Sequence, residues 1–154
     1  MNRGVSVALL MLLGLTFRAV CGGAAFAERK TLGQIQAEFD RESSPKKRLK
    51  LAIDLTDQRL KQTLAAYAAE DASIGPQELE QYLAGIDRFE KAIEENLNNI
   101  SKNAEIHLRK QLLALENLKL AVSYTERAPV EEAAKRVSLL HDAVLHRIMK
   151  PRKD

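Results

Sequence analysis

Residues 76–127 read PQELEQYLAGIDRFEKAIEENLNNISKNAEIHLRKQLLALENLKLAVSYTER, and the way this stretch divides decides the fold. After Pro76 it holds no further proline and one glycine, Gly85. Leu79, Leu83, Ile86, Ile93 and Leu97 recur at helical spacing. Ile100, Ala104, Leu108, Leu112, Leu115, Leu118 and Val122 continue the stripe with little change of phase. Two readings follow. A single helix of 52 residues would be ~78 Å long at 1.5 Å per residue. Two helices would meet at Asn98-Asn99-Ile100-Ser101-Lys102-Asn103, a cluster rich in turn formers. We favour the break, because the unbroken length far exceeds that of ordinary globular helices.

Working outward, Pro45, Pro129 and Pro151 also fall between periodic segments, where proline starts or stops helices without breaking them. Upstream, Thr31 and Gln34 have capping-box spacing ahead of a short helix over 32–42, with Leu32, Ile35 and Phe39 on one face. A helix over 45–71 carries Leu49, Ile53, Thr56, Leu60, Thr63 and Tyr67 as its stripe. Downstream, a helix over 129–149 starts at Pro129, with Val130, Ala133, Val137, Leu140, Val144 and Ile148 inward. With 76–98 and 103–127, this predicts an all-α antiparallel up-down bundle of about four main helices plus a short N-terminal one. The alternative is one long kinked helix over 76–127 flanked by two shorter ones.

Composition agrees. Of 154 residues, 45% are hydrophobic and 29% charged, which suits one globular domain rather than a disordered chain. Seven Gly and four Pro are too few for the turns of an ordinary all-β protein. One cysteine excludes an intramolecular disulfide framework and a Cys-rich zinc module.

Residues 1–27 differ from the rest. Arg3 precedes the 13-residue apolar run Val5–Phe17, Arg18 closes it, and Ala25-Phe26-Ala27 supplies small residues before Glu28. This is the layout of a secretory signal peptide, and we place cleavage before Glu28. The run is too short to span a bilayer comfortably. A lipid anchor at Cys21 is the alternative, but the charged Arg18 three residues upstream breaks the small-residue pattern of such sites. The expected mature chain, 28–154, is one helical domain with a basic tail from about residue 150. Loss of Arg3 and Arg18 lowers its net charge from +3 to +1. The expected location is periplasmic or secreted.

The candidate metal or haem ligands are His107, His141 and His146. If the last two helices fold back at Ala128, His107 and His146 are level but His146 faces outward, while His141 faces inward at the wrong height. We therefore expect no metal site or cofactor, and place the histidines on partly exposed helix surface. Asp142 and His146 are an i,i+4 surface pair. Catalytic motifs are lacking: there is no Gly-x-Ser-x-Gly and no phosphate loop. The basic clusters are Lys46, Lys47 and Arg48, and Lys150, Arg152 and Lys153, which could touch anionic envelope components. A net charge of +1 without interleaved aromatics does not suit nucleic acid. Asn99-Ile100-Ser101 fits the glycosylation sequon.

Ile53-Asp54-Leu55-Thr56-Asp57-Gln58-Arg59-Leu60 resembles the first helix of the all-α chorismate mutases. That resemblance implies arginines holding substrate carboxylates at the positions here occupied by Lys50 and Tyr67. The second departure removes a guanidinium that bidentate binding would use. Leu55-Thr56-Asp57-Gln58 is similar to the Leu-Thr-x-x-Gln motif of small helical periplasmic chaperones and stress sensors, with Gln one position early, so no residue roles carry over. The expectation is an exported, non-enzymatic bundle that binds a protein partner or a second copy of itself. The rival is a periplasmic ligand- or metal-binding bundle, which requires polar side chains converging in the core.

Overall fold

A computed structural model describes residues 30–69, 73–96 and 102–149. Among them lie five helices and no strand: α1 (Leu32–Arg41), α2 (Pro45–Ala68), α3 (Ile74–Glu94), α4 (Lys102–Ala121) and α5 (Tyr124–Met149). The chain is all-α, a packed helical bundle. The proposed signal peptide, Cys21, the sequon, Lys150, Arg152 and Lys153 lie outside the described residues.

Each start has a local cause. Thr31 caps α1 through a reciprocal box: its hydroxyl accepts from the Gln34 N–H at 3.3 Å, and the Gln34 side chain accepts from the Thr31 N–H at 2.8 Å. Pro45 opens α2, where its missing N–H costs nothing. At the far end of α3, the Asn96 side-chain amide donates to the Ala92 carbonyl (2.8 Å) and the Pro45 carbonyl (2.7 Å). One side chain thus caps α3 and ties it to the start of α2. The division of 76–127 into two helices is the one observed.

The last two helices meet at a different place from the one expected. α4 ends at Ala121, and α5 begins at Tyr124 with Pro129 inside it. Ser123 sets this start: its carbonyl accepts from the Glu126 N–H (3.1 Å), and its hydroxyl donates to the Glu126 carboxylate (2.6 Å). Pro129, the sixth residue of α5, cannot bond the Thr125 carbonyl, but that turn is exposed and water can take the bond.

Polar contacts give the directions. Thr63 to Glu78 and Arg48 to Glu95 run α2 against α3 antiparallel, and His141 to Glu105 does the same for α4 and α5. Across these two hairpins, α3 lies beside α5 and α2 beside α4. α1 packs on α2, where the Arg48 guanidinium sits 4.7 Å over the Phe39 ring. The core is aliphatic (Leu55, Ile86, Ile93, Leu108, Leu115, Val130, Val137, Val144), with Phe39, Tyr82 and Phe89 as its large aromatics. Two glycines sit where helices come close. A Cβ on Gly85 would meet the Thr56 methyl at 3.4 Å, and one on Gly75 would meet the Tyr67 ring at 2.8 Å.

Candidate functional site

The bundle interior is not wholly apolar. Thr56 (0% exposed) from α2, Tyr82 (0%) from α3, and His107 (6%) and Gln111 (1%) from α4 form a chain of hydrogen bonds between the hairpins. The Tyr82 hydroxyl donates to Gln111 Oε1 at 2.7 Å. This turns the Gln111 amide N–H toward His107 Nε2, 2.8 Å away. Nε2 therefore accepts, and the ring proton resides on Nδ1, which faces the Asp57 carboxylate at 3.4 Å. The Thr56 hydroxyl, 2.8 Å from the same Nε2, shares its proton with the Ala52 and Ile53 carbonyls of its own helix. Phe89 meets the imidazole edge-on, with centroids 5.2 Å apart.

These surroundings set the charge states. Burial pushes the His107 pKa below its ordinary value; the Asp57 carboxylate opposes that shift and Lys110 reinforces it. The ring is neutral at pH 7. Burial likewise raises the Tyr82 phenol far above its ordinary range. Thr56, His107 and Asp57 have the order of a hydroxyl–imidazole–carboxylate triad, but the hydroxyl is sealed and bonded to backbone carbonyls. No substrate atom can reach it, and the arrangement acts as a polar pin between hairpins.

His107 is thus buried, against the expectation of a partly exposed surface. The reason is that Thr56 from α2 and Tyr82 from α3, acting through Gln111, arrive to satisfy a polar side chain on the inner face of α4. With the fold-back at Ser123, Glu105 lies 18 residues before it and His141 18 after, so these two are level and bond at 3.1 Å. His141 is mostly buried and also approaches Asp142 (3.5 Å), which therefore turns to its neighbour rather than to His146. His146 is exposed. Among the described residues, no group of three or more His, Cys, Asp or Glu is placed to hold a metal ion. Polar side chains do converge in the core, as the ligand-binding alternative requires, but they satisfy one another.

Of the basic cluster, Lys46 is exposed, Lys47 lies 3.7 Å from Glu42, and Arg48 is committed to Glu95 (3.0 Å) and Phe39. Between α1 and α2 runs an open cleft of about 790 Å³, where Lys47, Lys50 and Lys61 alternate with Asp54 and Asp57. Burial raises the Asp54 pKa above its ordinary value, against the pull of Lys50. Mixed signs at this spacing neutralise each other rather than select one charge of ligand.

The outer face of α4 is different. Ile106, Leu113 (64% exposed) and Leu120 (76%) stand seven residues apart. Leu113 is nine residues from the buried Ala104, half a turn round the helix. The column therefore runs down the side of α4 directly opposite its packed face. Single exposed leucines are ordinary, but a heptad column of them on one helix is the pattern of a partner-facing surface. Sequence reasoning missed it by counting Leu112 as the core residue of that turn; Leu112 is half-buried and Gln111 takes the interior position. No known family, curated protein or solved structure matches the chain.

Proposed function

We propose that this chain is an exported, non-enzymatic helical bundle that works by binding a protein through the outer face of α4. One observation carries the reading: the column of Ile106 (36% exposed), Leu113 (64%) and Leu120 (76%), which stands on the side of α4 opposite its packed face and repeats at the spacing of a helix-to-helix seam. The sealed interior supports it, since the buried polar group of Thr56, Tyr82, His107 and Gln111 is spent on holding the hairpins together. Export rests on the N-terminal pattern: a basic start, a short apolar run, and Ala25 and Ala27 ahead of Glu28.

Two measurements test the reading. Mass spectrometry of the protein from its native cells should find a mature chain beginning at Glu28; an intact N-terminus would refute export. A photo-crosslinking residue at position 113 should give a protein adduct in those cells, whereas one at the exposed Glu132 of α5 should not. Equal or absent adducts at both positions would refute the α4 surface.

A further inference from the structure

We infer that the partner of this α4 face is a second copy of the same chain, paired antiparallel about a two-fold axis at Leu113. The inference rests on the reading of α4 as a contact surface and specifies its occupant. The column is self-complementary under that operation. Leu113 meets Leu113, and Ile106 and Leu120, seven residues to either side, meet each other.

The flanking charges favour the same pairing. Arg109 and Glu116 are seven residues apart, so they share one flank of the column, and both are accessible, with side chains 65% and 44% exposed. Arg109 lies four residues before Leu113, ~6 Å along the axis, and Glu116 three residues after it, ~4.5 Å. Reversing one helix about Leu113 brings Arg109 of one copy level with Glu116 of the other to within ~1.5 Å. A two-fold axis perpendicular to the helices keeps the two residues on the same side. Two reciprocal Arg–Glu pairs therefore form at once. Arg109 leaves its present 3.5 Å contact with Glu105, which keeps its bond to His141, and Glu116 leaves its 2.5 Å contact with Lys119. On the opposite flank, Lys110 comes level with Asn117 of the second copy, so no like charges face each other. A parallel pair swaps the flanks and would set Arg109 of one copy beside Lys110 of the other, like against like, with Glu116 beside Asn117. The seam offers one apolar residue per heptad from each copy, which is narrow, so the dimer belongs to the weak, concentration-dependent class.

Sedimentation equilibrium of the 28–154 chain from about 10 µM to about 1 mM tests this, with far-UV circular dichroism confirming that each variant is folded. Dimer should accumulate over that range. Leu113→Lys should abolish it, and Arg109→Glu should weaken it about tenfold by setting acid against acid twice. The double variant Arg109→Glu/Glu116→Arg should restore association to within about threefold, since each new residue again faces its opposite. A wild-type chain that stays monomeric throughout, or a double swap that fails to restore a dimer lost in the single, overturns the self-pairing. If the chain is monomeric while position 113 still crosslinks to a different protein in cells, the self-pairing falls and the contact surface stands.

Discussion

The neutral, buried His107 makes stability fall as the solution is acidified, and the size of the effect follows from its contacts. In the unfolded chain a histidine titrates near pH 6.5; in the bundle, burial holds His107 below that, so between the two values the unfolded state binds more protons. Stability is then full above pH 6.5 and is lost on descending toward the folded pKa, at up to about 1.4 kcal/mol per pH unit for one proton. The groups that face the ring are Asp57 from α2, Tyr82 through Gln111, and Lys110 from its own helix. The variant His107→Leu removes the titration and leaves the Gln111 N–H without its acceptor. Thr56 keeps its bonds to Ala52 and Ile53, and Asp57 is solvated. The cost at pH 7.5 is therefore about that of one orphaned buried donor plus the lost bonds, about 2–4 kcal/mol. Urea unfolding followed by circular dichroism at pH 7.5, 6.5 and 5.5 should show the gap between wild type and variant narrowing as pH falls. A gap that stays constant or widens would refute the neutral, buried imidazole.

The two close-packed glycines should respond oppositely to alanine. Gly85→Ala adds a methyl at ordinary contact distance in mid-helix and should raise stability by about 0.5–1 kcal/mol, whereas Gly75→Ala drives a methyl into the Tyr67 ring and should lower it by about 1–2 kcal/mol. Thermal melts of both variants check the pair, and a higher melting temperature for Gly75→Ala would contradict the close approach of Tyr67. Pro129→Ala gives α5 back the amide that can bond the Thr125 carbonyl and should stabilise by about 1 kcal/mol, net of the unfolded-state entropy that proline removes. A lower melting temperature for that variant would mean that α5 starts later than Tyr124.

What the sequence carried plainly was whatever depends on neighbours along the chain. The Thr31–Gln34 box, the Pro45 start and the inward columns of α4 and α5 are decided by local spacings, and the structure keeps them except at Leu112 and Ile148, which are half-buried. The α4–α5 turn was legible in principle: Ser123-Tyr124-Thr125-Glu126 has capping-box spacing, but Pro129 is so common in first turns that it hid the earlier start. That five-residue error displaced every pairing across the hairpin and concealed the Glu105–His141 contact. The burial of His107 with Gln111 could not be read from local pattern at all. A polar residue on an apolar face is acceptable only if Thr56 and Tyr82, 51 residues before His107 and 29 before Gln111, arrive to satisfy it. For the candidate surface the failure was the reverse. Counting Leu112 into the inward stripe left Ile106, Leu113 and Leu120 unread, although their seven-residue spacing marks a second face.

The polar pin also bears on the order in which the molecule assembles. α2 with α3, and α4 with α5, are sequence neighbours whose contacts close short loops, so each hairpin can form quickly on its own. The bonds from Thr56 to His107 and from Tyr82 to Gln111 close only when the two hairpins dock. Interactions made that late are absent from much of the folding barrier. Loss of His107 should thus leave the rate of folding nearly unchanged and shorten the lifetime of the finished bundle. The histidine acts less as a guide to the fold than as the catch that keeps the two halves closed.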